Sequence, residues 1–128
     1  MDNLLKQIEY WKQGAISDIS TAAILIKKKK YSEGMFFCHL CIEKVLKALY
    51  VKMRSDIAPK THNLFTLCAK IGIIVEDPIL DFFGLLMKYQ IQGRYPDFSP
   101  SILDKKQIAY NYKKTKEILQ WLTDKLSK

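Results

Sequence analysis

Apolar residues recur along this chain at spacings of three and four, the mark of helices rather than strands. Over residues 3 to 29, Leu4, Ile8, Trp11, Ala15, Ile19, Ala22 and Ile26 predict one long amphipathic helix, which Gly14 weakens without ending. Ser32 is placed to cap a second helix that runs to about Arg54, and Pro59 in the loop SDIAPKT forbids its continuation. Thr61 then predicts the cap of a short helix, His62 to Ile71, closed by Gly72. Asp77 followed by Pro78 reads as an N-cap with proline at the first helical position, opening a fourth helix through roughly Gln90. GRYPDFSPS reads as a loop. The last helix, about Ile102 to Leu126, repeats Ile108, Tyr112, Thr115, Leu119, Leu122 and Leu126 as a nearly heptad seam. No segment alternates like a strand, so the expected class is all-α, an antiparallel bundle of about five helices.

The second helix differs from the rest. Phe36, Phe37, Leu40, Ile42, Val45, Leu46, Leu49 and Val51 make it apolar nearly all the way round, as a centrally buried helix reads. Into it are set His39, Glu43, Lys47, Tyr50 and Arg54, which at 100° per residue fall within about 80° of one another. Charge on such a helix is costly unless it is paired or used. Glu43 and Lys47 stand four apart in the favourable order, so simple helix pairing is one explanation, and the apolar surroundings are the reason to look for more. His39 reads as a hydrogen-bonded helix residue before it reads as a general base.

Composition sets the scale. A chain of 128 residues, 48% hydrophobic, supplies one core and not two, so a single domain over 1–128 is expected. The net charge of +8 is shared: residues 1–64 hold 11 basic and 6 acidic side chains, residues 65–128 hold 10 and 7. Any anion preference therefore belongs to the folded surface and not to a basic tail. The run Lys27 to Lys30 closes the first helix, where cations complement the helix dipole. MDNLLKQIEYWKQ carries charge too early for a signal peptide or a membrane span, which points to a cytoplasmic protein with no membrane association.

Metal and cofactor signals are weak. Cys38, Cys41 and Cys68 need no disulfide. Cys38 and Cys41, with His39, His62 and Cys68, can be drawn as a zinc site, but one turn of an apolar helix explains two small hydrophobes equally well, and no metal is expected. There is no glycine-rich phosphate loop and no paired catalytic carboxylate, so no cofactor is expected either. The best local anion site is Arg94 and Tyr95, a forked cation and a phenol held between Gly93 and Pro96.

Three blocks stand in order: Ile42-Glu43-Lys44-Val45-Leu46-Lys47-Ala48-Leu49, then Pro59-Lys60-Thr61-His62-Asn63-Leu64, then Gly93-Arg94-Tyr95-Pro96-Asp97. Together with the helix pattern they resemble a HEPN domain (higher eukaryotes and prokaryotes nucleotide-binding). The resemblance implies an all-α bundle that usually dimerises. It further implies a prokaryotic protein of the kind paired with a minimal nucleotidyltransferase, in a toxin–antitoxin-like or related system, with a nucleotide or RNA as ligand. Glu43, Lys47, Arg54, Arg94 and Tyr95 are the residues expected to hold that ligand. Catalytic members of the family are metal-independent ribonucleases carrying an Arg, four to six residues, then a His near the start of the final helix. Here Arg94 is followed by Tyr95-Pro96-Asp97-Phe98-Ser99-Pro100-Ser101, without histidine. The expectation leans against an enzyme, because arginine alone cannot handle the 2′-hydroxyl proton. The alternative is a ribonuclease with a diverged site in which His39 or His62 supplies the base.

Overall fold

A helix that is apolar on every side needs neighbours on every side, and the fold supplies them. The computed structural model describes residues 2–94 and 104–128, with side chains over 3–90 and 104–128. Among the described residues there are five helices and no strand: α1 Asp2–Lys27, α2 Tyr31–Arg54, α3 Leu64–Ile71, α4 Asp77–Arg94 and α5 Lys105–Leu126. α2 packs against all four others, while α1 also touches α5 and α3 touches α4. Met35, Ile42, Val45 and Leu46 of α2 are fully enclosed by Ala15 and Ala22 of α1, Leu64 and Leu67 of α3, Phe83 and Leu86 of α4, and Ile108 and Leu122 of α5. Each large side chain buried this way stabilises the bundle by roughly 1.5–3 kcal/mol relative to exposure.

Element ends depart from the sequence reading by a few residues, each for a local reason. α1 stops at Lys27 because Lys29 takes a left-handed conformation (φ 63°) and the Lys30 N–H donates to the Leu25 carbonyl, closing the helix two residues early. That corner feeds straight into α2. Lys30 therefore occupies the N-cap position, without a side-chain cap, and Ser32 lies inside the helix. α3 is capped by Asn63, whose side chain accepts from the Thr66 N–H, while the Thr61 hydroxyl accepts from the Asn63 N–H one step upstream. α4 begins with Asp77 as its first helical residue and runs to Arg94, so Gly93 and Arg94 belong to a helix and not to a loop. α5 starts at Lys105 behind an Asp104 cap.

The α5 seam is also rotated. Its buried residues are Ile108, Asn111, Thr115, Ile118 and Leu122, with Tyr112, Leu119 and Leu126 only half-buried. Asn111 and Thr115 are tolerated there because Thr115 donates to the Asn111 carbonyl (2.8 Å) and Asn111 accepts from Gln107 (3.0 Å).

Two basic residues at the end of α2 close other helices. Lys52 donates to the Lys125 and Leu126 carbonyls (3.0 and 2.7 Å) at the C-terminus of α5. Arg54 donates to the Lys70 and Ile71 carbonyls (both 3.0 Å) at the C-terminus of α3. Both satisfy carbonyls that have no partner within their own helix. Gly72 follows with φ 84°, and a Cβ there would sit 2.9 Å from the Arg54 guanidinium, so glycine is required by conformation and by space.

The α1–α2 hairpin is drawn tight by small residues. A Cβ at Gly34 would lie 2.6 Å from Cγ1 of Ile26. Gly34→Ala should therefore lose about 1–3 kcal/mol through overpacking, against the roughly 1 kcal/mol that alanine gains as a helix former. A lowered Tm in thermal denaturation is expected; a Tm at or above that of the wild type would show that Ile26 moves aside freely.

Candidate functional site

The stripe on α2 becomes a buried charge cluster centred on Glu43. His39, Glu43 and Lys47 follow one another at four-residue steps on the same face, and all three are buried. Lys47 Nζ lies 3.0 Å from Glu43 Oε2. The loop between α2 and α3 adds His62, whose Nδ1 sits 3.1 Å from both carboxylate oxygens. His39 holds the same loop from below, its Nε2 donating to the His62 carbonyl at 3.1 Å, and its Nδ1 lies 3.7 Å from Glu43 Oε1. The α3 cap at Asn63 fixes the backbone that carries His62.

Hydrogen-bond partners assign the ring protons. A carboxylate only accepts, so Nδ1 of His62 carries hydrogen and Nε2 is the basic nitrogen of its neutral ring. The His62 side chain is 43% exposed, whereas those of Glu43 and Lys47 are 4% and 6% exposed. His62 is thus the member of the cluster that meets solvent.

α1 completes the arrangement from the other side. The Lys47 ammonium lies 5.1 Å from the Trp11 ring centroid, between an indole face and a carboxylate. One turn along, Lys44 reaches Asp18 at 2.9 Å, and its stem crosses α1 over Gly14. Burial raises the Asp18 carboxyl pKa above its ordinary value, and the Lys44 contact opposes the rise. Asp18 and Trp11 were not singled out as site residues from the sequence. The signal was present: Asp18 falls between Ala15 and Ala22 on the inward seam of α1, seven residues after Trp11.

Tyr50 and Arg54 separate from this cluster. Tyr50 is half-buried against the core, and Arg54 is given over to the C-terminus of α3. Arg94 is the last residue of α4; its side chain, and Tyr95 altogether, lie outside the described residues. Chemically, the cluster is closed. The lysine and both imidazoles gather round a single carboxylate, which leaves Lys47 committed and His62 as the point of contact with the outside. Among the described residues no group of three or more His, Cys, Asp or Glu side chains is arranged to hold a metal.

A model of the HEPN domain matches residues 8–126. The chain belongs to the HEPN family. Curated proteins give no match. Among solved structures it is similar to TT1696 from Thermus thermophilus, with 20% identity, a TM-score of 0.79, and coverage of 93% of this chain and 98% of that one. It is also similar to ST0689, an archaeal HEPN homologue, with 20% identity, a TM-score of 0.63, and coverage of 93% and 97%. At that identity the likeness is one of fold. It agrees with the five-helix bundle read from the sequence, and no described helix is long and apolar enough to cross a membrane.

The cysteines of this HEPN bundle are core residues. Burial pushes the Cys38 and Cys68 thiols up to about 11 and raises Cys41 well above its ordinary value. At pH 8 all three should alkylate slowly with iodoacetamide in the native protein and quickly in denaturant, counted by mass spectrometry. Fast native labelling of any one would place it outside the core. For the charge cluster, Glu43→Gln leaves Lys47 buried without a counter-charge and should cost roughly 3 kcal/mol in urea denaturation. Lys47→Met should cost less, since His62 still donates to the carboxylate. The opposite order would mean that Lys47, not Glu43, is the centre of the cluster.

Proposed function

We propose that this HEPN protein is a non-catalytic interaction module: a homodimer that partners a minimal nucleotidyltransferase and takes a nucleotide or RNA segment as its anionic ligand. The observation that carries this reading is where the histidines go. The chain has two. Both are drawn into the Glu43 cluster, and neither follows Arg94, so the arginine–histidine pairing of the family's ribonucleases has no histidine to use. Arg54, the arginine nearest to His62 in sequence, is occupied by backbone carbonyls.

Dimerisation is supported by α1. Its outer surface exposes Leu5, Tyr10, Ile16 and Ile24, more apolar area than one bundle covers. With Asp18 turned inward onto Lys44, the helix sets Lys6, Lys12 and Lys27 against Asp2 and Glu9, a surplus of one positive charge that opposes the meeting of two copies only weakly. The apolar seam of α5, by contrast, faces α2 within its own bundle, so the interface falls to α1.

One observation favours the alternative. Glu43 behind a half-exposed His62 is the arrangement of an oriented general base, with Nε2 available for a proton. A diverged ribonuclease would use it.

Light scattering at micromolar concentration should give about twice 14.9 kDa, and Leu5→Glu with Ile16→Glu should return the mass to one chain. Co-expression with a minimal nucleotidyltransferase from a neighbouring reading frame should yield a complex. Purified protein should leave single-stranded RNA intact. Metal-independent cleavage that disappears in His62→Ala would replace this reading with the alternative, and a monomeric mass would remove the dimer from it.

A further inference from the structure

Half of the net charge of this chain sits on one helix. α5 carries Lys105, Lys106, Lys113, Lys114, Lys116 and Lys125 against Glu117 and Asp124, a surplus of 6 − 2 = +4 out of +8. The surplus is concentrated further: residues 105–116, KKQIAYNYKKTK, hold five lysines and no acid.

Stability of the fold does not explain these lysines. The first turn of a helix favours carboxylates, because the unsatisfied N–H groups there make that end positive. α5 has one acid at its N-cap, Asp104, but none in its first turn, which holds two lysines instead. Among the described residues, none of the five lies within ion-pair distance of a carboxylate, whereas Lys44 and Lys47 on α2 both do. The core contacts of α5 are made by Ile108, Asn111, Thr115, Ile118 and Leu122, which leaves Lys105, Lys106, Lys113 and Lys116 exposed on the other side.

Aromatic rings are interleaved with the cations. Lys114 Nζ lies 5.8 Å from the Phe82 ring centroid and 5.9 Å from that of Tyr110, and Lys116 Nζ lies 5.0 Å from that of Tyr112. Tyr110 is 57% exposed. It lines a shallow cavity of about 130 Å³ with Lys113, Lys114 and Glu117.

We propose that the outer face of residues 105–116 binds a single strand of nucleic acid without sequence preference, with Lys105, Lys106, Lys113 and Lys116 on phosphates and Tyr110 stacked on a base. The inference rests on the reading above only in naming RNA as a ligand, and it places the contact on α5 and not on the α2 cluster. Lysines neutralise phosphates as point charges and do not fork onto base edges, so the surface reads charge and not sequence. An exposed ring among them adds a stacking platform, which a strand with open base faces uses and an acidic protein surface does not. An anionic membrane fits less well: a helix lying on lipid needs an apolar face to insert, and Tyr110 is the one large exposed apolar side chain described on α5.

The test is fluorescence anisotropy of the full chain with a fluorescein-labelled twenty-residue oligouridylate. Affinity should fall with salt at a log–log slope of about −3, as four phosphate contacts on a single strand give. Lys106→Glu, Lys113→Glu and Lys116→Glu together should weaken binding at least tenfold. The same charge change in the α1–α2 corner, Lys28→Glu with Lys29→Glu and Lys30→Glu, should weaken it no more than threefold. Tyr110→Ala should weaken oligouridylate binding about fivefold and leave polyglutamate binding unchanged. Equal losses from the two triple variants would overturn the proposal in favour of net charge alone. Polyglutamate binding as tightly as oligouridylate, with Tyr110→Ala inert, would assign the face to an acidic protein instead; no binding to either would end the proposal. Circular dichroism and light scattering on each variant separate these outcomes from a loss of fold or of the dimer.

Discussion

Everything around α2 is arranged to accommodate one carboxylate in the middle of the bundle. A buried carboxylate without partners would be costly, and Glu43 takes them from its own helix, from the loop before α3, and through Lys47 from the indole of α1. This explains why three separate elements converge at one level. The α2–α3 loop in particular has few apolar anchors, and its path is set by His62 above and the His39 bond to the His62 carbonyl below. The same residues that look catalytic in a line of sequence are, in space, the polar fastening of a loop.

The α1–α2 interface shows the same economy. Two acids, Asp18 and Glu43, and two lysines, Lys44 and Lys47, meet there as two pairs, so the contact is neutral although it is charged. Ala15, Ala22 and Gly34 let the helices approach closely enough for the Lys44–Asp18 pair to form across them. Lengthening any of the three small residues would separate Lys44 from Asp18 as well as the backbones.

The helices were legible because their signals are local. Periodicity, Gly72 as a C-terminal stop and Pro78 at a helix start are each decided within a few residues. Caps were less legible, since several hydroxyl and amide residues compete near each end: Asn63 took the role expected of Thr61, and a left-handed Lys29 made Ser32 unnecessary as a cap. Within the candidate site, the alignment of His39, Glu43 and Lys47 follows from helix geometry alone. That His62 reaches Glu43 depends on a loop path, and that Trp11 covers Lys47 depends on the register of two helices. Neither is written at any fixed spacing. The same limit turned the α5 seam onto Asn111 in place of Tyr112.

Lys52 and Arg54 give the end of α2 a second role. Helix ends ordinarily fray first, because their last carbonyls have only water to bond. Here the termini of α3 and α5 are closed by side chains from α2, residues 16 to 74 positions away in sequence. The C-terminal turn of α5 is thereby tied to the middle of the chain, and the last turns of α3 and α5 are both fastened to the end of α2. A bundle fastened in this way resists peeling from its end, because opening the C-terminal turn of α5 must first break its bonds to Lys52 of the central helix.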